Sequence, residues 1–276
     1  SLHAALTGER AGPYADFGAF GLAAKALREG WCFDGTAYSS WRRRTVGTSP
    51  AGIPGRRFVA YWQNHDQVGN RPDGARAASL VSLEAHKLGL GAVVLSPYTP
   101  LLFMGDESGE RTPFHFFADF VDEGLKDAVR EGRRRELKAH WGWDGAPPDP
   151  FAAETFAACV LDEGRPPTPS GDRTAAYLRE LLRLRREHPA FKDAERDKRT
   201  VVEAEPVLIL ARPGAAVLLN FGDTPFEGPL AVPAGRWRLI LDSADERWGG
   251  PGGRAPSARA SAGGAKASLA AKSLAV

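Results

Sequence analysis

Two short apolar runs in this chain break off directly into hydrogen-bonding residues, and that recurrence limits the folds open to it. The first is Phe58, Val59, Ala60, Tyr61 and Trp62, followed without a spacer by Gln63, Asn64, His65, Asp66 and Gln67. The second is Leu101, Leu102, Phe103 and Met104, followed by Gly105, Asp106 and Glu107. Runs of this length and composition suit strands buried in a parallel sheet. Five consecutive polar side chains are too many for a core, and Gly69 and Asn70 can supply the backbone angles of a tight turn. Between the runs, residues 75–95 carry Leu80, Leu83, Leu88 and Val94 among many alanines, which predicts a helix ended by Pro97 and Pro100. Strand, polar cluster, helix, strand, acidic cluster is the grammar of a β/α barrel or a doubly wound sheet, where residues just past the carboxyl ends of the strands face the active site. A plain polar turn between strand and helix would account for the same residues.

Composition narrows the function classes. At 276 residues and 43% hydrophobic content, the chain can bury one good core and a second small one. The net charge is +2 and the basic pieces Arg42 to Arg44 and Arg133 to Arg135 are short, so no phosphate-tracking surface and no nucleic-acid partner are expected. Cys32 and Cys159 lack partners at metal-ligand spacing, which argues against a zinc site or disulfide scaffold and fits a reducing, cytoplasmic setting. No metal or cofactor is expected. No apolar run approaches the ~20 residues that span a bilayer, so no membrane partner is expected either.

Along the chain, residues 15–30 suit an amphipathic helix stopped by Gly30, and residues 31–54 lack a sustained period and read as a long loop. Residues 112–120 crowd four phenylalanines beside His115 and Asp119, as a buried aromatic plug or as a wall of a ring-binding cleft. Residues 125–140 form a charged helix, read as a solvated face, residues 162–172 a surface loop, and residues 175–187 a helix carrying Leu178, Leu181, Leu182 and Leu184. From Thr200 the runs become short and β-type, divided by Gly, Pro and Asp, with a long loop over residues 248–266 and a last strand over 267–276. The expected domains are therefore 1–197 and 198–276.

Four segments carry a family resemblance: the string from Gln63 to Arg71; Ser96-Pro97-Tyr98-Thr99-Pro100 running on to Glu107; Thr112-Pro113-Phe114 with Phe116, Phe117 and Asp119; and Glu131 to Glu136. Together they resemble the malto-oligosyltrehalose trehalohydrolases of the α-amylase family. The resemblance runs in order over about residues 1–189, with a weaker match to the family's C-terminal β-domain. It implies an α/β fold, the C-terminal part of a (β/α)8 TIM barrel followed by a small all-β sandwich. It implies a glycosidase that releases trehalose from maltooligosyl trehalose by cleaving an α-1,4-glucosidic bond. Asp66 would be the transition-state stabiliser holding hydroxyls of the distorted sugar, with His65 as a neighbouring donor. Gln63, Asn64, Gln67 and Arg71 would bind or position substrate, and Tyr98, Phe114, Phe116 and Phe117 would line glucose subsites. Two positions depart from the family, Ser108 where a Trp is usual and Phe120 where a His is usual, which removes an aromatic platform. The family's nucleophilic Asp and acid Glu lie on the fourth and fifth barrel strands, whereas this chain matches only the last two. The resemblance therefore implies that the chain needs the N-terminal half of the barrel as a partner and is inactive alone.

Two other function classes fit some of the residues. An adjacent His-Asp pair can ligate metal in phosphohydrolases, but His3, His86, His115, His140 and His188 form no ordered ligand set. A non-catalytic module that binds sugar or docks onto a partner needs no nucleophile at all.

Overall fold

The computed structural model describes residues 1–161, 168–192, 199–253, 258–260 and 265–276. The chain opens with helix α1 (Leu2–Thr7), a 3-10 turn (Gly12–Phe17) and helix α2 (Phe20–Glu29). The single helix expected over 15–30 is thus divided, because its first residues belong to the tighter turn that Pro13 initiates. Its stop is where glycine puts it: Gly30 has φ 78°, and a Cβ there would lie 2.8 Å from the Tyr98 ring. The expected loop over 31–54 instead contains an antiparallel ribbon, β1 (Asp34–Ser39) with β2 (Arg44–Gly47). Most of its positions are exposed, so it has no buried face to print an alternating pattern on the sequence.

Strand β3 (Val59–Tyr61) leads into helices α3 (His65–Gly69), α4 (Ala77–Leu80) and α5 (Leu83–Val94), and the chain returns as β4 (Thr99–Leu101) parallel to β3. Parallel pairing requires such a crossover. The helix expected over 75–95 breaks where the Ser82 hydroxyl caps Ala85 N–H, at 3.2 Å. The second strand begins at Thr99 rather than Leu101 and includes Pro100, whose missing N–H is tolerated in a strand paired on one side only. Neither strand is buried on both faces as expected. Val59 is 55% exposed, Tyr61 39% and Leu101 38%, since no third described strand joins this sheet. α5, by contrast, is buried from Ala85 through Val94.

Helix α6 (Glu123–Trp141) is capped by Asp122 and ended by Gly142 at φ 62°. It is not simply a solvated face, because Arg133 and Leu137 are buried. After α7 (Ala153–Ala157), helix α8 (Pro169–Glu187) starts at a Thr168 cap, well before residue 175. The rest of the expected 162–172 loop lies outside the described residues up to 167. α8 buries Tyr177, Leu178, Leu181 and Leu184, while Leu182 points away and is exposed. Helix α9 (Pro189–Lys192) follows, and the expected domain boundary falls outside the described residues.

The remainder is β. Strands β5 (Thr200–Ala204), β6 (Val207–Arg212) and β7 (Ala215–Asn220) form an antiparallel meander, joined on its far edge by β12 (Ser273–Ala275). Strands β8 (Phe226–Leu230) and β11 (Ala265–Leu269) pair with each other, as do β9 (Gly235–Trp237) and β10 (Ala258–Ala260). The single last strand expected over 267–276 is two strands, turning at Lys272 with φ 47°, and β10 occupies part of the expected loop. β6 is buried at all six positions and feeds two cores by strict alternation. Leu208 and Leu210 join Leu88, Leu90, Leu181 and Leu274, whereas Val207, Ile209 and Ala211 join Leu230, Ala267 and Leu269. The meander therefore closes the core of α5 and α8 on one side and packs against the outer strands on the other, a sandwich built onto the barrel layer.

Candidate functional site

Asn64 has extended backbone and accepts the Gln67 N–H through Oδ1 at 2.9 Å, so α3 starts immediately past the carboxyl end of β3. That cap turns the next two side chains outward. His65 and Asp66 are 69% and 71% exposed, with Nε2 and Oδ1 3.5 Å apart. Gln63 goes the other way, into a buried frame. Its Nε2 donates to Asp106 Oδ1 at 2.5 Å and its Oε1 accepts the Ala77 N–H at 2.8 Å. Asp106 also accepts the Phe103 N–H at 2.8 Å, so one amide–carboxyl contact ties together the ends of both parallel strands. Burial raises the Asp106 carboxyl to about 6, against the opposing pull of the Gln63 and Phe103 hydrogen bonds. Arg76, also fully buried, donates to the carbonyls of Thr112 and Met104 and lies 4.8 Å over the Phe103 ring.

Arg71 leaves α3 on its far side and grips Glu9 with both terminal nitrogens, at 2.9 and 2.8 Å. Phe114 is anchored by its N–H on Gly74 O at 2.9 Å, and a Cβ at Gly69 would sit 3.7 Å from its ring, which places the phenylalanine segment against α3. Phe114, Phe117 and Phe156 meet edge to face at 5.7 and 5.2 Å, and Arg133 lies 4.8 Å over Phe116. Phe116 and Phe117 keep 38% and 37% of their surface open, so the segment is a half-open wall rather than a sealed plug. The structure thus brings Gln63, Asn64, His65, Asp66, Gln67, Arg71, Phe114, Phe116 and Phe117 into one region. It sets Tyr98 apart from His65 and Asp66, although Tyr98 lines the same cavity as Gln67. Tyr98 precedes β4, at the amino-terminal end of the parallel pair, and its hydroxyl donates to Leu27 O at 2.9 Å. Arg76, Glu9 and Phe156 complete the region without any local sequence signal, whereas Asp106 stands at the end of the second apolar run and Arg133 within the 131–136 segment.

A cavity of about 830 Å³ runs along β3, lined by Tyr14, Phe17, Ile53, Val59, Tyr61 and Gln67 among others, and is largely apolar. Among the described residues no three His, Cys, Asp or Glu side chains converge as a metal site, and no helix is long and apolar enough to cross a membrane.

No family profile matches the chain. It is 40% identical over 188 residues to the malto-oligosyltrehalose trehalohydrolase of Saccharolobus solfataricus, covering 68% of this chain and 31% of that protein. To the protein of the same name from Arthrobacter ramosus it is 39% identical over 254 residues, covering 91% of this chain and 43% of that protein. A Salmonella typhimurium crystal structure, provisionally named an α-amylase, superposes with TM-score 0.78 at 35% identity over 99% of this chain and 44% of its own. The chain therefore spans less than half the length of these relatives, and its fold is that of the C-terminal part of an α-amylase-type barrel with the β-domain that follows it.

Proposed function

The chain is a relative of the malto-oligosyltrehalose trehalohydrolases, matching the C-terminal portion of those proteins, and from that premise we propose that it supplies the transition-state-stabilising part of a glycosidase that releases trehalose from maltooligosyl trehalose. The observation that carries this is the outward-facing His65–Asp66 pair at the carboxyl end of β3. A carboxylate placed there accepts hydrogen bonds from sugar hydroxyls. Those bonds strengthen as the ring flattens toward an oxocarbenium ion, so they favour the transition state over the ground state. The half-open wall of Phe116 and Phe117 beside it offers apolar faces on which a glucose ring can stack.

Retaining hydrolysis needs a nucleophile and an acid ~5–5.5 Å apart across the scissile bond. Asp106 is buried in the Gln63 frame and Asp66 has the stabilising role, so in this proposal both groups come from residues outside these 276. A second reading, a non-catalytic sugar-binding or docking piece, is favoured by the open flank of β3, where Val59 and Tyr61 are exposed beside the apolar cavity. Trehalose release from maltooligosyl trehalose is the test, for the chain alone and for the chain with its barrel completed by an upstream portion. Release only from the completed form supports the first reading; sugar binding without turnover in either supports the second. Robust release by the chain alone refutes the role given to Asp66.

A further inference from the structure

α3 is only five residues long, and a single-turn helix cannot hold its own orientation. Its amino end is fixed by the Asn64 cap and the buried Gln63. Its carboxyl end is fixed by residues from two distant parts of the chain. From α6, Arg133 donates to Gly69 O at 2.9 Å and to Asn70 Oδ1 at 2.6 Å, and the Trp141 indole N–H donates to Asn70 O at 2.9 Å. From the segment after α1, Glu9 takes the two-pronged grip of Arg71, whose guanidinium lies 5.0 Å from the Trp141 ring. Glu9 is held in turn by His3 Nε2 at 2.7 Å, and the His3 ring stacks on Tyr14 at 4.3 Å. Among the described residues nothing comparable holds the His65 and Asp66 side chains, whose one ion-pair contact there is with each other.

We infer that Glu9, Arg71 and Arg133 are positioning residues that set the direction in which His65 and Asp66 face the substrate, an inference that rests on the role proposed for Asp66. Both terminal nitrogens of Arg71 are committed to Glu9 and its side chain is 9% exposed, so it reaches the sugar only through the turn it holds. Glu9, Arg71, Arg133 and Trp141 lie outside the main apolar core, most of which is on α5, α8 and the β-strands, with Leu6, Ala23 and Ala24 joining it from α1 and α2. The clamp can therefore be loosened without unfolding that core. Geometry at a reacting centre is exacting, and a misplacement of about 1 Å can cost on the order of 100-fold in rate.

Arg71→Lys keeps the charge but loses the planar fork and the stacking on Trp141. With the barrel completed, Arg71→Lys, Arg71→Met and Glu9→Gln are each expected to lower kcat by roughly 10- to 100-fold with KM within about threefold. The Glu9→Gln/Arg71→Met double variant should be no worse than its worse single parent, because either change breaks the same contact. In the 276-residue chain, amides of residues 65–70 should exchange faster in each variant while those of α5 and β6 stay protected. Unchanged kcat in Arg71→Met would overturn the inference. So would a rise in KM alone, which marks direct substrate contact, or loss of protection in α5 and β6, which marks a purely structural role. If Asp66→Asn itself keeps full turnover, the reading of Asp66 fails instead, and the exchange measurement decides the clamp by itself.

Discussion

The Trp62 indole N–H donates to His86 Nδ1 at 3.0 Å, and this one contact fixes the proton on a fully buried imidazole. Indole is a donor only, so Nδ1 must accept, and the remaining ring N–H at Nε2 donates to Asp106 O at 3.1 Å. The last residue of the first apolar run is thereby linked, through α5, to the acidic turn after the second. Burial lowers His86 to about 4, against the hydrogen bond to Asp106 O, while it raises the Asp106 carboxyl to about 6.

These two shifts act in opposite directions on stability. Between pH 4 and 6.5 an unfolded His86 takes up a proton that the folded one refuses, so this group makes stability rise with pH. Between about 3.8 and 6 the folded Asp106 holds a proton that the unfolded one gives up, so that group makes stability fall with pH. The pair should largely cancel in the native chain. His86→Gln removes one side, and denaturant unfolding of that variant, compared with the native chain, should show stability declining from pH 4 to 6. A parallel pH dependence in the two proteins would contradict the buried neutral imidazole.

Glu9 gives an acid-side expectation. Burial opposes its ionisation, but hydrogen bonds from His3 and Arg71 outweigh burial and hold the carboxyl down at about 2. A depressed carboxyl contributes stability that is fully present above its unfolded value near 4.5 and disappears as pH falls toward 2. The stability gap between the native chain and Glu9→Gln should therefore shrink steadily from pH 5 to 2. A gap independent of pH would mean that the carboxylate is not paired in solution.

The helical layer and the β-region share one core, and this too can be tested. Leu208 and Leu210 of β6 lie in the same cluster as Leu88 and Leu90 of α5 and Leu178 and Leu181 of α8. Leu208→Ala should cost about 2–5 kcal/mol, as for other fully buried leucines. It should shift a single transition monitored both by α5 hydrogen exchange and by tryptophan fluorescence. Removing the β-region should expose Leu178 and Leu181, whereas Leu182 is already in solvent. Two separable transitions would show that the β-region is an independent unit.

The junctions at Trp62–Gln63 and Met104–Asp106 were legible because an apolar run stopped abruptly at polar residues, a contrast that sequence carries directly. The wall at Phe114, Phe116 and Phe117 was legible as a cluster, though not as half-open. The ribbon of β1 and β2 was not, since an exposed two-stranded ribbon leaves no apolar period. The break between β11 and β12 passes through Ala270, Ala271 and Lys272, which carry no glycine or proline to announce it. Arg133 looks like any other arginine on a charged helix, and the partners that bury it, Gly69 and Asn70, lie more than sixty positions away. Glu9 and Arg71 are similarly distant. Local patterns therefore mark where a candidate site sits, and long-range contacts decide what holds its residues.

Asp66→Asn separates function from fold more cleanly than any other change here. The Asp66 side chain is 71% exposed, and among the described residues its ion-pair partner is His65, at 3.5 Å. An exposed pair of this kind contributes little to stability, so the substitution should leave the unfolding midpoint nearly unchanged. Under the role proposed for Asp66, the same change in the completed barrel replaces a carboxylate by a neutral amide where positive charge would develop on the sugar. Loss of one preorganised electrostatic contact of that sort costs ~2.7 kcal/mol or more of transition-state stabilisation, about 100-fold in kcat. His65→Gln, which keeps a donor beside the carboxylate, should lose less than Asp66→Asn. Near-normal turnover in Asp66→Asn, with an intact fold, would remove Asp66 from the chemistry.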